Sequence, residues 1–184
     1  MKLTKIVKQT DNKFLNMFVA EYRGKINSNY FFASRRSEQD LQKINFVDAV
    51  KVLPYIPKTN EIVFIKNFRY VVNDYVYEMP AGLVDKGEDS LVAAKREVCE
   101  EIGAEIKSIK KVTNVGFTSV GLTDETMETY FAEVELNSNQ NLDDDEIIEI
   151  VKVNLNDVEN FLNSHTVDCI TALMVKLFLV ENKK

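Results

Sequence analysis

The chain has 184 residues, a formal net charge of −6 and 45% hydrophobic residues. This length suits one domain with a substantial core, and the acidic balance argues against a nucleic-acid partner held through phosphate contacts. No stretch approaches the ~20 apolar residues of a membrane span, and the first residues lack the apolar run of a secretory signal. We therefore expect a cytoplasmic protein with no membrane partner.

The two cysteines and the single histidine restrict the chemistry further. Cys99 and Cys169 lie far apart and form no CxxC pattern, so a disulfide framework or a zinc site is unsupported and reduced thiols are expected. His165, the only histidine, lies at the end of a predicted helix. A single histidine disfavours a catalytic triad of the serine or cysteine type.

The first third of the chain reads as strands. Residues 14–22 and 29–36 are rich in aromatic and β-branched side chains, with a turn between them. After a polar connection, residues 46–56 and 61–72 form near-continuous apolar runs on either side of the turn-forming Pro-Lys-Thr-Asn, which predicts strands buried on both faces. In the Tyr-Glu-Met-Pro-Ala-Gly run that follows, Pro80 to Gly82 predict a tight turn.

Residues 82–104, GLVDKGEDSLVAAKREVCEEIGA, form the most informative stretch. Apolar residues recur there at helical spacing and predict a helix with one buried stripe, made of Leu91, Ala94, Val98 and Ile102. Asp89 or Ser90 can cap its N-terminus, and Gly103 suits the left-handed position after its C-terminus.

Three carboxylates occupy neighbouring positions on the other side of this helix. Glu97 and Glu101 are four residues apart, and Glu100 is three residues from Glu97. Like charges at this spacing repel by roughly a few tenths of a kcal/mol per pair. A hard divalent cation would turn that repulsion into attraction, because Mg²⁺ prefers carboxylate oxygens. A solvated acidic face is the alternative interpretation.

The remainder alternates between strands and helices. Residues 105–117, 127–136 and 147–155 read as strands, and an acidic run at 143–146 precedes the last of them. The chain ends in two helices. Asn156 is the predicted cap of the first, and the second, at 168–181, is apolar nearly all round, which predicts burial in the fold or at an interface.

The spacing within residues 82–104 resembles the signature of the Nudix hydrolases, G-x5-E-x7-R-E-U-x-E-E-x-G-U, in which U is a bulky aliphatic residue. The matching positions are Gly82, Glu88, Arg96, Glu97, Val98, Glu100, Glu101 and Gly103. The resemblance implies an α/β fold, the Nudix α/β/α sandwich around a mixed sheet. It also divides the chain into an N-terminal antiparallel β extension at 1–42 and a hydrolase domain at 43–184.

The N-terminal strands and the Glu-Met-Pro-Ala-Gly run resemble the ADP-ribose pyrophosphatase group of nucleoside-diphosphate-sugar hydrolases. That group's reaction is hydrolysis of the diphosphate bond, for ADP-ribose to AMP and ribose 5-phosphate. Val120 departs from the pattern, because ADP-ribose enzymes often have Ser-Pro-Gly where this chain has Ser-Val-Gly. Another nucleoside diphosphate sugar, a dinucleotide, an oxidised nucleoside triphosphate, or a non-catalytic nucleotide-sensing role therefore stays open.

The resemblance also implies roles for individual residues. Mg²⁺, with Mn²⁺ as an alternative, is expected on five ligands: the Ala81 carbonyl oxygen, Glu97, Glu100, Glu101 and Glu146. Asp144 stands where relatives often have a glutamate base. Arg69 and Glu78 are expected at the substrate, and Gly82, Glu88, Arg96 and Gly103 as structural support.

The N-terminal extension of this group commonly builds a homodimer by lying across the partner. We therefore expect a homodimer, with the extension as its dimerisation element. In such a dimer Phe31, Phe32 or Arg35 is placed to reach the partner's substrate site. A hairpin packed on its own domain is the alternative.

Overall fold

The computed structural model describes residues 1–142 and 147–182. Its elements, in chain order, are β1 (Lys2–Lys8), β2 (Asn16–Arg23), β3 (Ser28–Ser34), β4 (Ala49–Ile56), β5 (Glu61–Arg69), β6 (Asp74–Glu78), β7 (Ala81–Leu83), α1 (Ser90–Ile102), β8 (Ala104–Lys111), β9 (Gly116–Phe117), β10 (Thr126–Leu136), β11 (Ile148–Asn154), α2 (Val158–Ser164) and α3 (Cys169–Glu181). The chain divides into two compact units. The first comprises Met1–Asp48 and Val115–Met127, and the second comprises Ala49–Asn114 and Glu128–Lys184.

The first unit is built on an antiparallel sheet with the strand order β1-β2-β3. Phe18 and Phe32 stack on its buried face with their ring centroids 5.6 Å apart, and Ala20 lies beside them. The two predicted strands are present, and β1 adds a third. Phe31, on the opposite face of β3 from Phe32, is exposed, and so is Tyr30 nearer the start of the strand.

A buried arginine links the segment after β3 to the start of β10 within the first unit. Arg36 donates to the Asp48 carboxylate, at 2.6 Å from Nη2, and to the Thr126 hydroxyl. The same carboxylate accepts from the Thr126 amide at 2.7 Å. Burial lowers the pKa of Arg36, but the hydrogen bond and charge of Asp48 outweigh it, so the net pKa of Arg36 is raised and the guanidinium stays ionised. This network explains why residues 115–127 fold with the N-terminal strands.

The second unit is a sheet in the order β11-β5-β4-β10-β8, with β6 added to β5 and β7 added to β4. Strands β4 and β5 are buried on both faces, as their apolar runs predict. Successive residues of β5 alternate between two cores. Val63 and Ile65 pack with α1, whereas Ile62 and Phe64 pack with α2 and α3. One helix on one face and two on the other give the predicted sandwich, which is confirmed.

Three details differ from the sequence-based expectations. Ala81–Leu83 form a strand paired with Ala49–Lys51 rather than a tight turn, because the sheet offers them ladder partners. Helix α2 begins after Asp157 and has no side-chain cap hydrogen bond, so the predicted Asn156 cap is wrong. Within the chain helix α3 is buried on one side only, so burial of its exposed outer face at an interface stays a prediction. No helix among residues 1–142 and 147–182 is long and apolar enough to cross a membrane.

Candidate active site around helix α1

Helix α1 begins and ends where the sequence predicts. Asp89 is the N-cap, and its carboxylate accepts a hydrogen bond of 2.9 Å from the Leu91 amide. Gly103 follows the helix with a φ of 60°, in the left-handed region. A Cβ added there would lie 2.3 Å from the Ser138 carbonyl oxygen, so the position also needs glycine for space. The loop at 137–141 therefore packs directly onto the C-terminal end of α1.

The buried side of α1 differs from the predicted stripe. Ala94, Val98 and Ile102 are buried, but Leu91 is 37% exposed and Ala93 takes its place in the core. Glu97 and Glu101 are also buried, with 8% and 3% of their surface exposed. The alternative interpretation, a solvated acidic face, is therefore wrong for these two residues. Burying a charge is unfavourable unless nearby groups compensate it, so their surroundings decide what the site can do.

Both buried carboxylates lie against the backbone of strand β7. The Ala81 amide donates a hydrogen bond of 3.0 Å to Glu101 Oε2. The Glu97 carboxylate lies where a side chain on residue 82 would be: a Cβ built on Gly82 would be 2.0 Å from Glu97 Oε1 and 2.1 Å from its Cδ. Gly82 is thus required for close approach of the carboxylate, not for an unusual backbone conformation.

Arg96 compensates the negative charge on this side of the helix. Its Nη1 donates to Glu97 Oε1 at 2.7 Å and to Glu100 Oε2 at 3.0 Å. Its other nitrogens donate to the Glu88 carboxylate at 3.1 Å and to the Leu83 carbonyl at 2.9 Å. The hydrogen bonds to Glu88 raise the pKa of Arg96, further supported by Glu97 and Glu100. In return, the Arg96 hydrogen bond lowers the pKa of Glu88. Arg96 thereby joins the loop before the helix to the helix itself.

These groups line an open cavity of about 310 Å³. Its lining includes Ala81, Gly82, Glu97, Glu100, Glu101 and Asn141. The donors are carboxylate oxygens beside a backbone strand, which is the chemistry a hard divalent ion prefers. Among the described residues, no three acidic, imidazole or thiol side chains form a group that could hold a metal ion. Arg96 Nη1 donates to both Glu97 and Glu100 and so lies between them. The donor set and the space beside Gly82 nevertheless fit such an ion.

Arg69 and Glu78 form an ion pair within the second unit. Arg69 Nε donates to both carboxylate oxygens of Glu78, at 2.9 and 3.1 Å, and Nη2 also contacts Oε2. Glu78 is buried, whereas the Arg69 side chain is 47% exposed. The Glu78 hydrogen bond raises the pKa of Arg69, and the charges of Glu101 and Asp168 add to the effect. The guanidinium is therefore fixed at one edge and lies within the electrostatic field of the Glu101 carboxylate.

The remaining predicted site residues are placed differently. Arg35 is exposed in the first unit and lies 3.5 Å from Glu125. Asp144 and Glu146 lie outside the described residues. Their flanks are described: the Asn141 amide donates to the Glu100 carbonyl at 2.8 Å, and the Ile147 carbonyl accepts from the Phe68 amide at 3.3 Å.

Two groups in this region escaped the sequence analysis. Asn141 lines the cavity, but a polar loop residue gives no signal of its own. Lys51 is buried within β4 and forms a 2.9 Å ion pair with Asp168, the N-cap of α3. A lysine inside an otherwise apolar strand was the signal that could have identified this pair.

Comparison with known proteins decides the family. Residues 45–171 match the NUDIX domain family. The chain belongs to the Nudix family. It is similar to the ADP-ribose pyrophosphatase of Bacillus subtilis, with 34% identity over 70% of each chain. The ADP-ribose pyrophosphatase of Saccharomyces cerevisiae is 39% identical over 59% of this chain and 51% of its own length.

A third relative of this Nudix protein, the methanol dehydrogenase activator of Bacillus methanolicus, is 30% identical over 68% of this chain and 69% of its own. Together these comparisons confirm the resemblance carried by residues 82–104. They identify a pyrophosphohydrolase like the ADP-ribose pyrophosphatases. Nudix hydrolases generally use divalent metal ions.

Proposed function

We propose that this Nudix enzyme hydrolyses the diphosphate bond of ADP-ribose in a Mg²⁺-dependent reaction, releasing AMP and ribose 5-phosphate. The observation that carries the proposal is the burial of Glu97 and Glu101 against the backbone of β7, with Glu100 beside the same cavity. Burying a carboxylate costs free energy, and a core of this size could form without doing so. The names of the relatives in Bacillus subtilis and Saccharomyces cerevisiae support the choice of substrate.

Glu97, Glu100, Glu101 and the Ala81 carbonyl are the proposed ligands of Mg²⁺, with Mn²⁺ as an alternative ion and Glu146 as a further ligand. When bound, the metal would offset the charge of the diphosphate and activate a water. The protein holds the ligands in place: Gly82 leaves room for Glu97, and the Ala81 amide orients Glu101. Gly103, Glu88 and Arg96 support the helix and its preceding loop.

Asp144 is the proposed base that takes the proton of the attacking water. Its side chain is one methylene shorter than the glutamate that relatives often have there. Asn141, three residues before Asp144 in the sequence, lines the cavity, and its amide donates to the Glu100 carbonyl. A carboxylate near neutral pH accepts a proton transiently, as general base catalysis requires.

Arg69 and Glu78 are the proposed substrate contacts. A guanidinium binds phosphate oxygens through paired N–H donors, and Glu78 already fixes the orientation of this one. The half-exposed side of Arg69 leaves access for the diphosphate. Arg35 is proposed to contact the substrate of the partner subunit, where its present contact with Glu125 would be exchanged.

A homodimer is proposed, with residues 1–42 as the dimerisation element. Tyr30 and Phe31 of β3 are 47% and 59% exposed, and Phe14 is 68% exposed. Covering such exposed aromatic side chains with a partner subunit would remove apolar surface from water.

A cytoplasmic location is also proposed, because Cys99 and Cys169 are both free thiols.

The second candidate substrate is a different nucleoside diphosphate sugar. Val120 replaces the proline often found in ADP-ribose enzymes, and it is 72% exposed in the first unit. This departure is the observation that favours the second candidate, and it leaves the residues of α1 that match the signature unchanged.

The test is a nucleotide panel assayed for phosphate release after coupling to alkaline phosphatase, with Mg²⁺ and with Mn²⁺. The panel contains ADP-ribose, ADP-glucose, GDP-mannose, NADH, diadenosine polyphosphates and deoxynucleoside triphosphates. Strong preference for ADP-ribose supports the proposal. Preference for another compound keeps the hydrolase and replaces the substrate. Tight binding of one compound without turnover would instead favour a nucleotide-sensing domain.

A further inference from the structure

The N-terminal end of α3 holds the segment at 77–81 from the face opposite α1. Tyr77 exchanges two backbone hydrogen bonds with the chain before α3: its amide donates to the Thr166 carbonyl at 2.9 Å, and its carbonyl accepts from the Asp168 amide at 3.2 Å. This segment also carries Glu78 and Ala81, the partners of Arg69 and Glu101 in the site.

Thr171 supplies a hydrogen bond that no strand provides. Met79 lies one residue beyond β6, and its amide donates to the Thr171 hydroxyl at 3.0 Å. Both residues are fully buried, so solvent cannot replace this acceptor. A buried amide needs a partner, and the threonine side chain therefore fixes the backbone between Glu78 and Ala81.

Lys51 connects the cap of α3 to the strand that pairs with β7. It is 5% exposed and lies directly opposite Ala81 in the ladder. Its Nζ is 2.9 Å from Asp168 Oδ2, while Asp168 Oδ1 accepts from the Ile170 and Thr171 amides. A single carboxylate thus receives the helix amides on one oxygen and the strand lysine on the other, which fixes the helix against the strand.

This arrangement exceeds what packing of α3 requires. The residues two positions away on the same face of β4, Ala49 and Leu53, are buried apolar residues, so a hydrophobic side chain would satisfy the sheet at this position. The charge of Asp168 is also among the causes that raise the pKa of Arg69, so the cap of α3 lies within electrostatic range of a proposed substrate contact.

We propose that Lys51, Asp168 and Thr171 are positioning residues for the active site, acting through the segment at 77–81 to hold the Ala81 backbone and the Glu78 side chain. The inference rests on the proposed function of the cavity beside α1. None of the three is proposed to touch the metal or the substrate. Substituting any of the three should shift the proposed metal ligands from their positions but leave every ligand present.

The test compares two variants of Thr171 in the full chain. Thr171→Val removes the hydroxyl at nearly constant volume, whereas Thr171→Ser keeps the hydroxyl and loses the methyl group. Binding of Mn²⁺ without substrate is measured by the electron paramagnetic resonance signal of the free ion. Outer groups that orient metal ligands typically change affinity by about 10- to 100-fold, so we expect a loss of that size for Thr171→Val and a near-normal affinity for Thr171→Ser.

Thr129→Val is the matched control. Thr129 is also a buried threonine of the second unit, and its hydroxyl bonds the Thr113 hydroxyl at 3.0 Å, away from the segment at 77–81. We expect this variant to lower the melting temperature without weakening Mn²⁺ binding.

Lys51→Met and Lys51→Arg form a second pair of variants, which tests the positioning role if Thr171→Val does not fold. Arginine keeps the charge, and methionine removes it.

The outcomes separate this inference from the proposed function. If the unchanged protein binds Mn²⁺ and Thr171→Val binds it equally well, while its melting temperature falls as in Thr129→Val, the positioning role is overturned and the metal site stands. If the unchanged protein neither binds Mn²⁺ nor hydrolyses any nucleotide of the panel, the proposed function itself fails, and this inference fails with it.

Discussion

Helices α1 and α3 are each 13 residues long, and an aspartate caps each of them, but they differ in which side chains they bury. Helix α1 buries two carboxylates, Glu97 and Glu101. Helix α3 buries no charged side chain and leaves apolar side chains in solvent, with Leu173 64% exposed and Val180 68% exposed. Hydrophobic patterning alone would give the reverse for both helices.

The difference shows which features reflect function and which reflect packing. Burial of a carboxylate is unfavourable unless hydrogen bonds and opposite charges compensate it, and α1 meets that need with Arg96 and the Ala81 amide. The apolar outer face of α3 has no comparable requirement, because single exposed apolar residues are ordinary in folded proteins. Buried charge in α1 is therefore the stronger indicator of an active site.

The largest expected effect is on the buried carboxylates of α1. Glu101→Gln keeps an acceptor for the Ala81 amide but loses the charge. We expect hydrolysis to fall by about a hundredfold or more at saturating Mg²⁺, since even groups outside the ligand set are typically worth 10- to 100-fold. The free energy of unfolding should stay the same or rise slightly, because removing one like charge relieves roughly a few tenths of a kcal/mol of repulsion.

Steady-state hydrolysis of ADP-ribose and urea denaturation measure the two quantities on the same preparation. Glu133→Gln, an exposed glutamate on β10, is the matched control and should change neither. Full activity in Glu101→Gln would remove the buried carboxylates from the mechanism, and with them the contrast between the two helices.

The second-largest expected effect concerns the helix caps. Asp168, the cap of α3, is less exposed than Asp89, the cap of α1. Burial raises the pKa of Asp168, but the charge of Lys51 and the hydrogen bonds of Thr171 outweigh it, so the net pKa lies below 3.8. A lowered pKa stabilises the folded protein above the unfolded value and loses that effect as pH falls through the folded value. The stabilisation is thus present at neutral pH and is progressively lost as pH falls below about 3.8.

Asp168→Asn should lower the free energy of unfolding by about 2 kcal/mol at pH 7, since the asparagine still caps the helix but no longer pairs with the charge of Lys51. The gap between variant and unchanged protein should narrow as pH falls below 3.8, measured by urea denaturation from pH 7 to pH 3. A gap that stays constant with pH would assign the loss to packing rather than to charge.

Sequence reasoning located α1 well because its caps, its signature and its length all agree. It missed the burial of Glu97 because that burial depends on the absent side chain of Gly82, a residue of strand β7. It missed Lys51 and Asp168 for a similar reason: they are 117 residues apart and become partners only in the folded chain. Local patterns therefore predicted the elements, whereas contacts between distant residues decided how the site is held.

The smallest expected effect is on the outer face of α3. Leu173→Ser combined with Leu177→Ser should change the free energy of unfolding by less than about 1 kcal/mol, because both side chains are already exposed, at 64% and 40%. Phe178→Ala, on the buried side of the same helix, should cost about 3–5 kcal/mol. Urea denaturation at fixed protein concentration compares them directly. A large loss for the serine pair would mean that a partner covers this face in solution, and repeating the measurement at several protein concentrations would show it as a concentration-dependent stability.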